Sequence, residues 1–282
     1  MNYITLNNGA KIPGLGLGTY LLEPKDAENA VEMALKNGYE LIDTANAYVN
    51  EKAVGRGMKK SGFDREKIYL ETKLWPCFYE EEGSVEKTLA RLGTDYIDLM
   101  ILHQPAGNFI AGYKQLEKAY REGKLKAIGI SNFTIDEIKT LLGACEIKPM
   151  ILQVEVHPYW NQKELRDFCK KEGIAVQAWY PLGGRGNASI MNDGVIKELA
   201  VKYNKSAAQV IMKWHVQNGI VVIPGSKTES HIKDNINIFD FELSADDMKK
   251  IDGLSKASSI FVRQPGMMEH FAAWRPDVEG QE

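Results

Sequence analysis

Apolar positions along the chain fall into two rhythms that take turns. Short, nearly unbroken apolar runs occur at 15–21, 40–44, 68–73, 97–103, 127–131, 151–155, 175–179 and 220–224. The run Ile97-Asp98-Leu99-Met100-Ile101-Leu102 is typical, and such runs suit strands buried on both faces. Between them apolar residues recur at helical spacing, over 27–37, 51–60, 83–92, 113–122, 135–142, 163–172, 193–218 and 229–235. The segment 193–218 is long enough for two helices. Asn37-Gly38 and Glu122-Gly123 read as glycine stops at helix ends. A last helix is predicted over 245–254, with Ser244 as its N-cap.

Eight strands alternating with helices allow an open doubly wound sheet or a closed barrel. The regular repetition within 282 residues favours an α/β fold of the second kind, a (β/α)8 TIM barrel in one domain spanning 1–282. Ahead of the barrel, Tyr3–Leu6, Asn7-Asn8-Gly9 and Ala10–Ile12 predict a β-hairpin with an Asn-Gly turn, placed as an N-terminal cap. Behind it, residues 256–282 lack periodicity but carry Phe261, Met267, Met268, Phe271 and Trp274. Those side chains predict a tail folded over something apolar, at the barrel mouth.

Composition removes several function classes. A net charge of -3, with both signs mixed along the chain, gives no basic field for nucleic acid or an anionic membrane. The N-terminus lacks the charged and apolar regions of a signal peptide, and no stretch approaches a membrane-spanning length. Cys77, Cys145 and Cys169 are odd in number and far apart, so neither a disulfide framework nor a metal site is expected. A cytoplasmic location follows.

In a TIM barrel the chemistry sits at the carboxyl ends of the strands. The polar residues predicted there are Asp43, Lys73, His103, Ser131 with Asn132, Gln153 with Glu155, Trp179 and Ser226. Asp43, Lys73 and His103 recur once per βα unit, so an acid, a base and an imidazole end three neighbouring strands. Tyr48 follows Asp43 in a loop that can fold over the mouth. A free phenol has a pKa of roughly 10 and is a proton donor at neutral pH. A lysine cation about 4 Å away favours the phenolate by roughly 4 kcal/mol at an effective dielectric of about 20. That would lower the phenol pKa by up to about three and make Tyr48 a competent general acid. Asp43 would hold Lys73 charged and aimed, and His103 would orient the substrate oxygen. These residues point to proton donation onto a carbonyl; the source of hydride is not visible in them.

The sequence resembles the aldo-keto reductase family, in particular a bacterial group similar to 2,5-diketo-gluconate reductases and prostaglandin F synthases. The resemblance is carried by Gly16-Leu17-Gly18-Thr19, Asp43-Thr44-Ala45 with Tyr48 and Asn50-Glu51, and Glu71-Thr72-Lys73-Leu74-Trp75. It continues through Asp98–His103, Gly129-Ile130-Ser131-Asn132-Phe133, Gln153-Val154-Glu155 with His157-Pro158, Pro181-Leu182-Gly183, Ile223-Pro224 with Ser226, and Phe239–Ser244. It implies an NAD(P)H-dependent oxidoreductase that reduces aldehydes or ketones, with Asp43, Tyr48, Lys73 and His103 as a catalytic tetrad. It also implies that Ser131, Asn132 and Gln153 hold the nicotinamide carboxamide and that Trp179 stacks on the nicotinamide ring. Leu182, Ser226, Lys227, His231 and Asn235 would contact the rest of the cofactor. The substrate pocket would be lined by Tyr20, Tyr48, Trp75, His103 and tail residues. The family's usual pattern here is Pro-Lys-Ser with an arginine five residues later, whereas this chain has Pro224-Gly225-Ser226 and His231. Losing two cations should weaken the preference for the 2′-phosphate, so NADP(H) is expected, with NAD(H) also usable. A small-molecule carbonyl is the expected partner, and a monomer the expected state.

The same residues admit other readings. Gly14, Gly16 and Gly18 suggest a dinucleotide fingerprint, but its third glycine falls at Thr19, and the Tyr48, Lys73 and His103 context outweighs it. Asp43 and Lys73 alone could be a structural buried pair. Glu155 is expected to anchor the barrel interior, His157 to shape a loop and His215 to be structural. A cofactor-binding regulatory subunit without significant turnover remains the alternative function, disfavoured by the intact Tyr48, Lys73 and His103. A phosphate-substrate isomerase on a similar barrel would leave Trp179 and the Ser131-Asn132 pair unexplained.

Overall fold

The first two strands, β1 (Tyr3–Thr5) and β2 (Lys11–Pro13), form the antiparallel hairpin, with Ile4 opposite Ile12. Gly9 closes the turn at φ +85°, a conformation that costs a residue with a Cβ. The computed structural model describes residues 2–184, 189–256 and 259–282, so residues 257–258 of the predicted tail lie outside the described residues.

Eight parallel strands follow in chain order: β3 (Gly16–Gly18), β4 (Leu41–Asp43), β5 (Tyr69–Leu74), β6 (Leu99–Leu102), β7 (Ile128–Ser131), β8 (Ile151–Glu155), β9 (Ala175–Trp179) and β10 (Ile220–Val222). The sheet closes on itself. Leu15 bridges to Val222 and Gly18 to Gly225, and the Val222 N–H donates to the Gly14 carbonyl at 3.0 Å. Gly18 is required at this seam, because a Cβ there would lie 2.7 Å from the Ile223 carbonyl oxygen. Every residue of β6 is buried, the structural counterpart of its unbroken apolar run.

The helices are α1 (Pro24–Lys36), α2 (Glu51–Ser61), α3 (Ser84–Leu92), α4 (Phe109–Arg121), α5 (Ile135–Leu142), α6 (Lys163–Glu172), α7 (Gly194–Tyr203), α8 (Ala207–Gln217), α9 (Glu229–Ile236), α10 (Ala245–Asp252) and α11 (Met267–Ala273). Both α7 and α8 lie between β9 and β10, so 193–218 is two helices. Their junction is set by Ser206, whose hydroxyl accepts from the Gln209 N–H in a capping box. Gly38 and Gly123 adopt φ +90° and +76° just past α1 and α4, as expected of glycine stops. Two helices start earlier than the periodicity predicts. Pro24 opens α1, where its missing N–H costs nothing, and Asn108 caps α4 by accepting from the Ala111 N–H.

The tail does fold. Apart from α11, it is held by the Trp75 indole N–H, which donates to the Trp274 carbonyl at 3.1 Å. Its end is pinned to the barrel's outside, where Arg91 pairs with Glu279 and the Lys52 N–H donates to Gln281. Among the described residues no helix is long and apolar enough to cross a membrane.

Candidate active site

Parallel pairing in register sets the site. Gly18, Asp43 and Glu71 lie side by side across β3, β4 and β5, and Ser131 lies beside Gln153 across β7 and β8. Alternation along β5 then turns both Glu71 and Lys73 to the barrel interior, a helix-free space where charges must find partners. Lys73 is fully buried, in direct contact with Asp43, and donates to the Thr44 carbonyl at 2.8 Å. Its ammonium also lies 4.9 Å from the centre of the Tyr48 ring. Burial opposes the charge on Lys73, but Asp43, then Tyr48 and Glu71, outweigh it and hold the ammonium above the usual lysine range.

Tyr48 sits in a short 3-10 turn, 46–48, that follows β4. Its ring centre is 5.6 Å from that of His103, edge-on, and 5.0 Å from that of Tyr20. Contrary to the expectation from sequence, the Tyr48 phenol pKa is not lowered. Burial raises it well above the ordinary tyrosine range, and the Lys73 charge only offsets part of that rise. Tyr48 is therefore protonated, a potential donor rather than a phenolate. His103 is held neutral by burial, reinforced by the Lys73 charge, which pushes its pKa well below the usual histidine value.

Beneath these residues lies a polar layer that only partly announces itself in sequence. The Gln153 amide nitrogen donates toward Asp43 at 3.1 Å, Glu71 at 2.9 Å and Gln177 at 2.9 Å, and the Gln177 amide donates to Glu71 at 2.7 Å. Burial, then the charge on Asp43, pushes the Glu71 carboxyl up to about 8. The sequence analysis gives Glu71 no role beyond its place in a motif and does not name Gln177, because an interior-facing polar residue on a strand looks like its neighbours until the register is known.

A cavity of about 740 Å³ opens above this layer. Asp43, Tyr48, His103, Ser131, Asn132, Gln153, Trp179, Leu182, Ser226 and Lys227 all line it, with Tyr20 and Trp75. Lys73 lies behind the wall, and His231 and Asn235 are not part of it: His231 is exposed and Asn235 buried on α9. Lys227 reaches the cavity but is paired with Asp26 at 2.8 Å. The Ser131 hydroxyl is buried at the wall without a hydrogen-bond partner among the described residues. Asn132, in the left-handed region at φ +66°, accepts from the Trp179 indole at 2.8 Å and donates to the His103 carbonyl at 3.2 Å. That leaves Asn132 one N–H and one lone pair. An unsatisfied hydroxyl beside half-used amides fits a planar carboxamide, so these residues suit a nicotinamide.

The tail completes the wall through Ile260, Phe261, Phe271 and Trp274. Trp75 packs edge-on against His103, Phe271 and Trp274, with ring centres at 5.0, 5.2 and 5.1 Å. Glu155 does not anchor the barrel interior, as its place on β8 suggested; it anchors this tail. Its carboxylate accepts from the N–H groups of Ile260 at 2.7 Å and Phe261 at 2.9 Å and from the Ser259 hydroxyl at 2.9 Å. Burial opposes its ionisation, but the bonds from His157 and those N–H groups outweigh it and hold its pKa below the usual range. His157 indeed shapes a loop, accepting from the Trp160 N–H, and His215 is buried within α8.

Residues 14–256 match the model of the aldo/keto reductase family. The glyoxal reductase of Bacillus subtilis is 45% identical over 265 residues, which cover 91% of this chain and 94% of that protein. The glycerol 2-dehydrogenase (NADP(+)) of Saccharomyces cerevisiae is 40% identical, covering 90% of each chain. Among solved structures, the aldose reductase of Schistosoma japonicum superposes with a TM-score of 0.90 at 30% identity, over 96% of this chain and 97% of that one. With its closed eight-stranded barrel and this cavity at the strand ends, the chain belongs to the aldo/keto reductase family and is an oxidoreductase of carbonyl groups that uses a nicotinamide cofactor.

Proposed function

We propose that Tyr48 is the proton donor in that reduction and that Asp43, Lys73 and His103 tune and orient it. The observation that carries this reading is the convergence of the Tyr48 ring on both the Lys73 ammonium and the His103 imidazole at the cavity wall. The reduced nicotinamide, when bound, supplies the hydride to the carbonyl carbon. Ser131, Asn132 and the Gln153 oxygen would hold its carboxamide, and Trp179, fixed by Asn132, would support its ring. The substrate oxygen lies between Tyr48 and His103. As negative charge grows on that oxygen, the Tyr48 phenol delivers its proton, and the fixed charge of Lys73 stabilises the phenolate left behind. Neutral His103 can donate a hydrogen bond without competing for the proton.

At the far end, Leu182, Ser226 and Lys227 would meet the cofactor's phosphates and adenosine, with His231 and Asn235 as further contacts. The dehydrogenase from yeast carries NADP(+) in its name, which supports NADP(H) here. Gly225 and the Asp26 partner of Lys227 weaken the case for strict selection, so we infer use of both NADPH and NADH. We further read residues 1–282 as one functional unit. In this reading it is a cytoplasmic monomer whose partners are small carbonyl compounds, without nucleic acid or membrane.

Consumption of NADPH and of NADH with a panel of aldehydes, ketones and ketosteroids tests the whole reading. Turnover is expected in the wild type and its collapse in Tyr48→Phe. A folded, cofactor-bound wild type with no turnover across the panel would overturn it and restore the regulatory-subunit alternative.

A further inference from the structure

Arg263 lies in the tail two residues after the stretch that Glu155 holds, and it reaches the turn between β7 and α5. Its guanidinium pairs with Glu137 of α5 at 2.7 and 3.1 Å and also donates to the backbone carbonyl of Asn132, the residue after β7. Glu137 is itself fixed at the start of α5, where it accepts from the Thr134 N–H at 2.7 Å and the Thr134 hydroxyl at 2.9 Å. A planar guanidinium can serve a carboxylate and a carbonyl in one set geometry, which the flexible point charge of a lysine does not reproduce. The Arg263 and Glu137 side chains are 28% and 25% exposed. Water can therefore replace the pair when the tail lifts, so it can work as a latch.

Asn132 is where this latch meets the site. Its backbone stands at φ +66°, a left-handed conformation that persists only where the surroundings hold it. Its N–H donates to the Gln153 carbonyl of β8 at 2.9 Å, and its side-chain amide is tied to Trp179 and His103. Those three holds come from the barrel. The hold on its carbonyl comes from the tail, through Arg263. With the N–H fixed from β8 and the carbonyl from the tail, both backbone angles are set, and with them the direction in which the Asn132 amide leaves. The same tail brings Phe261 to the cavity wall, its ring centre 6.1 Å from that of Trp179.

We propose that Arg263 is a positioning residue for the nicotinamide: by holding the Asn132 carbonyl from the tail, it links closure of the tail over the cavity to retention of the nicotinamide ring. This rests on the reading that Ser131, Asn132 and Gln153 hold the carboxamide. When the tail is docked, Asn132 presents its free N–H and lone pair in the aim that a carboxamide needs. When the tail lifts, the Asn132 carbonyl loses its partner, the left-handed turn loosens and that aim is lost. The linkage is reciprocal: whatever factor the docked tail adds to nicotinamide affinity, a bound nicotinamide adds to docking of the tail. The adenosine half of the cofactor lies at the far end of the cavity and does not touch Asn132 in this reading, so it takes no part in the linkage.

Calorimetric titration with NADPH and with 2′-phospho-ADP-ribose, the same molecule without its nicotinamide, tests the linkage in the wild type and in Arg263→Met. The Kd for NADPH is expected to rise about tenfold in Arg263→Met, an ordinary size for coupled sites, while the Kd for the fragment stays as it was. A residue that only steadied the fold would move both ligands together. Equal weakening of both, or of neither, overturns the proposal. If Arg263→Met does not fold, the wild type carries the reciprocal test: NADPH should slow tryptic cutting after Arg263 by about the same tenfold, and the fragment should not. Equal protection by the two ligands overturns the proposal there. NADPH binding to the wild type no tighter than the fragment sinks the reading of Ser131, Asn132 and Gln153 as holders of the nicotinamide. Tighter NADPH binding that Arg263→Met leaves unmoved sinks only the role of Arg263.

Discussion

Glu155, the last residue of β8, grips Phe261 of the tail through a 2.9 Å bond from the Phe261 backbone N–H. The first part of the tail wall, residues 259–261, is therefore held by this one carboxylate of the barrel. Glu155→Gln replaces an acceptor with an N–H that faces other donors. Stability should fall by roughly 1–3 kcal/mol in urea unfolding, the usual effect of leaving such groups unpaired. Trypsin should also begin to cut at Arg263, which in the native protein is paired with Glu137. Unaltered trypsin resistance in Glu155→Gln would show that the tail is held elsewhere.

If Tyr48 donates the proton and His103 orients the substrate oxygen, as proposed, these two residues set the pH dependence. The phenol is the active form when protonated, and burial raises its pKa above the ordinary 10.0. Activity in reduction is therefore lost only as pH rises beyond that ordinary value. His103 stays neutral below its ordinary 6.5, so kcat/KM should show no break as pH falls through that value. A limb near the ordinary histidine pKa would mean that His103 ionises in the free enzyme.

Tyr48→Phe removes the proton and leaves the ring. The reduction rate should drop by about 10²–10⁴-fold, the range for loss of a general acid. Cofactor affinity, read from quenching of tryptophan fluorescence, should change little. Equal losses in rate and cofactor affinity would assign Tyr48 to cofactor binding instead.

Glu71 should make the fold sensitive to pH. Its pKa rises from an ordinary 4.5 to about 8 on folding. The folded state thus holds a proton that the unfolded chain releases, and this contribution to stability is lost as pH rises from about 4.5 through about 8. The slope is at most about 1.4 kcal/mol per pH unit. Glu71→Gln should flatten this part of the stability–pH curve, with the Gln153 or Gln177 amide turning to accept from it. Urea midpoints across this window give the slope; a wild-type slope that survives in the variant would place the proton on another group.

Lys227 is paired with Asp26 at 2.8 Å, and in the proposed reading it also meets a cofactor phosphate. An exposed pair of this kind is worth about 0–1 kcal/mol, so a 2′-phosphate can break it cheaply. Asp26→Asn should raise kcat/KM for NADPH by several-fold and leave NADH nearly unchanged. Equal effects on both cofactors would place Lys227 at the shared pyrophosphate.

Much of the site was legible because its residues recur at the same point of successive βα units. Asp43, Lys73 and His103 could be found by asking which polar side chains end apolar runs, and Tyr48 by its loop. Gln104 was not, although it neighbours His103: a glutamine after a strand is ordinary until its side-chain oxygen proves to be buried without a partner among the described residues. Glu71 and Gln177 needed the strand register, and Asp26 needed the fold to bring α1 near Lys227 across most of the chain.

The sequence by itself determined the alternation of strands and helices, the hairpin, the helix stops and the set of polar side chains at the strand ends, because these depend on spacing and local backbone chemistry. Only the tertiary structure decided how the charges act. Whether Lys73 makes Tyr48 acidic or burial keeps it protonated turns on depth in the barrel, and local sequence does not encode depth. Likewise Glu155 became the holder of the tail only when closure of the barrel brought residues 259–261 across its mouth, since a carboxylate's role is set by the donors that arrive beside it.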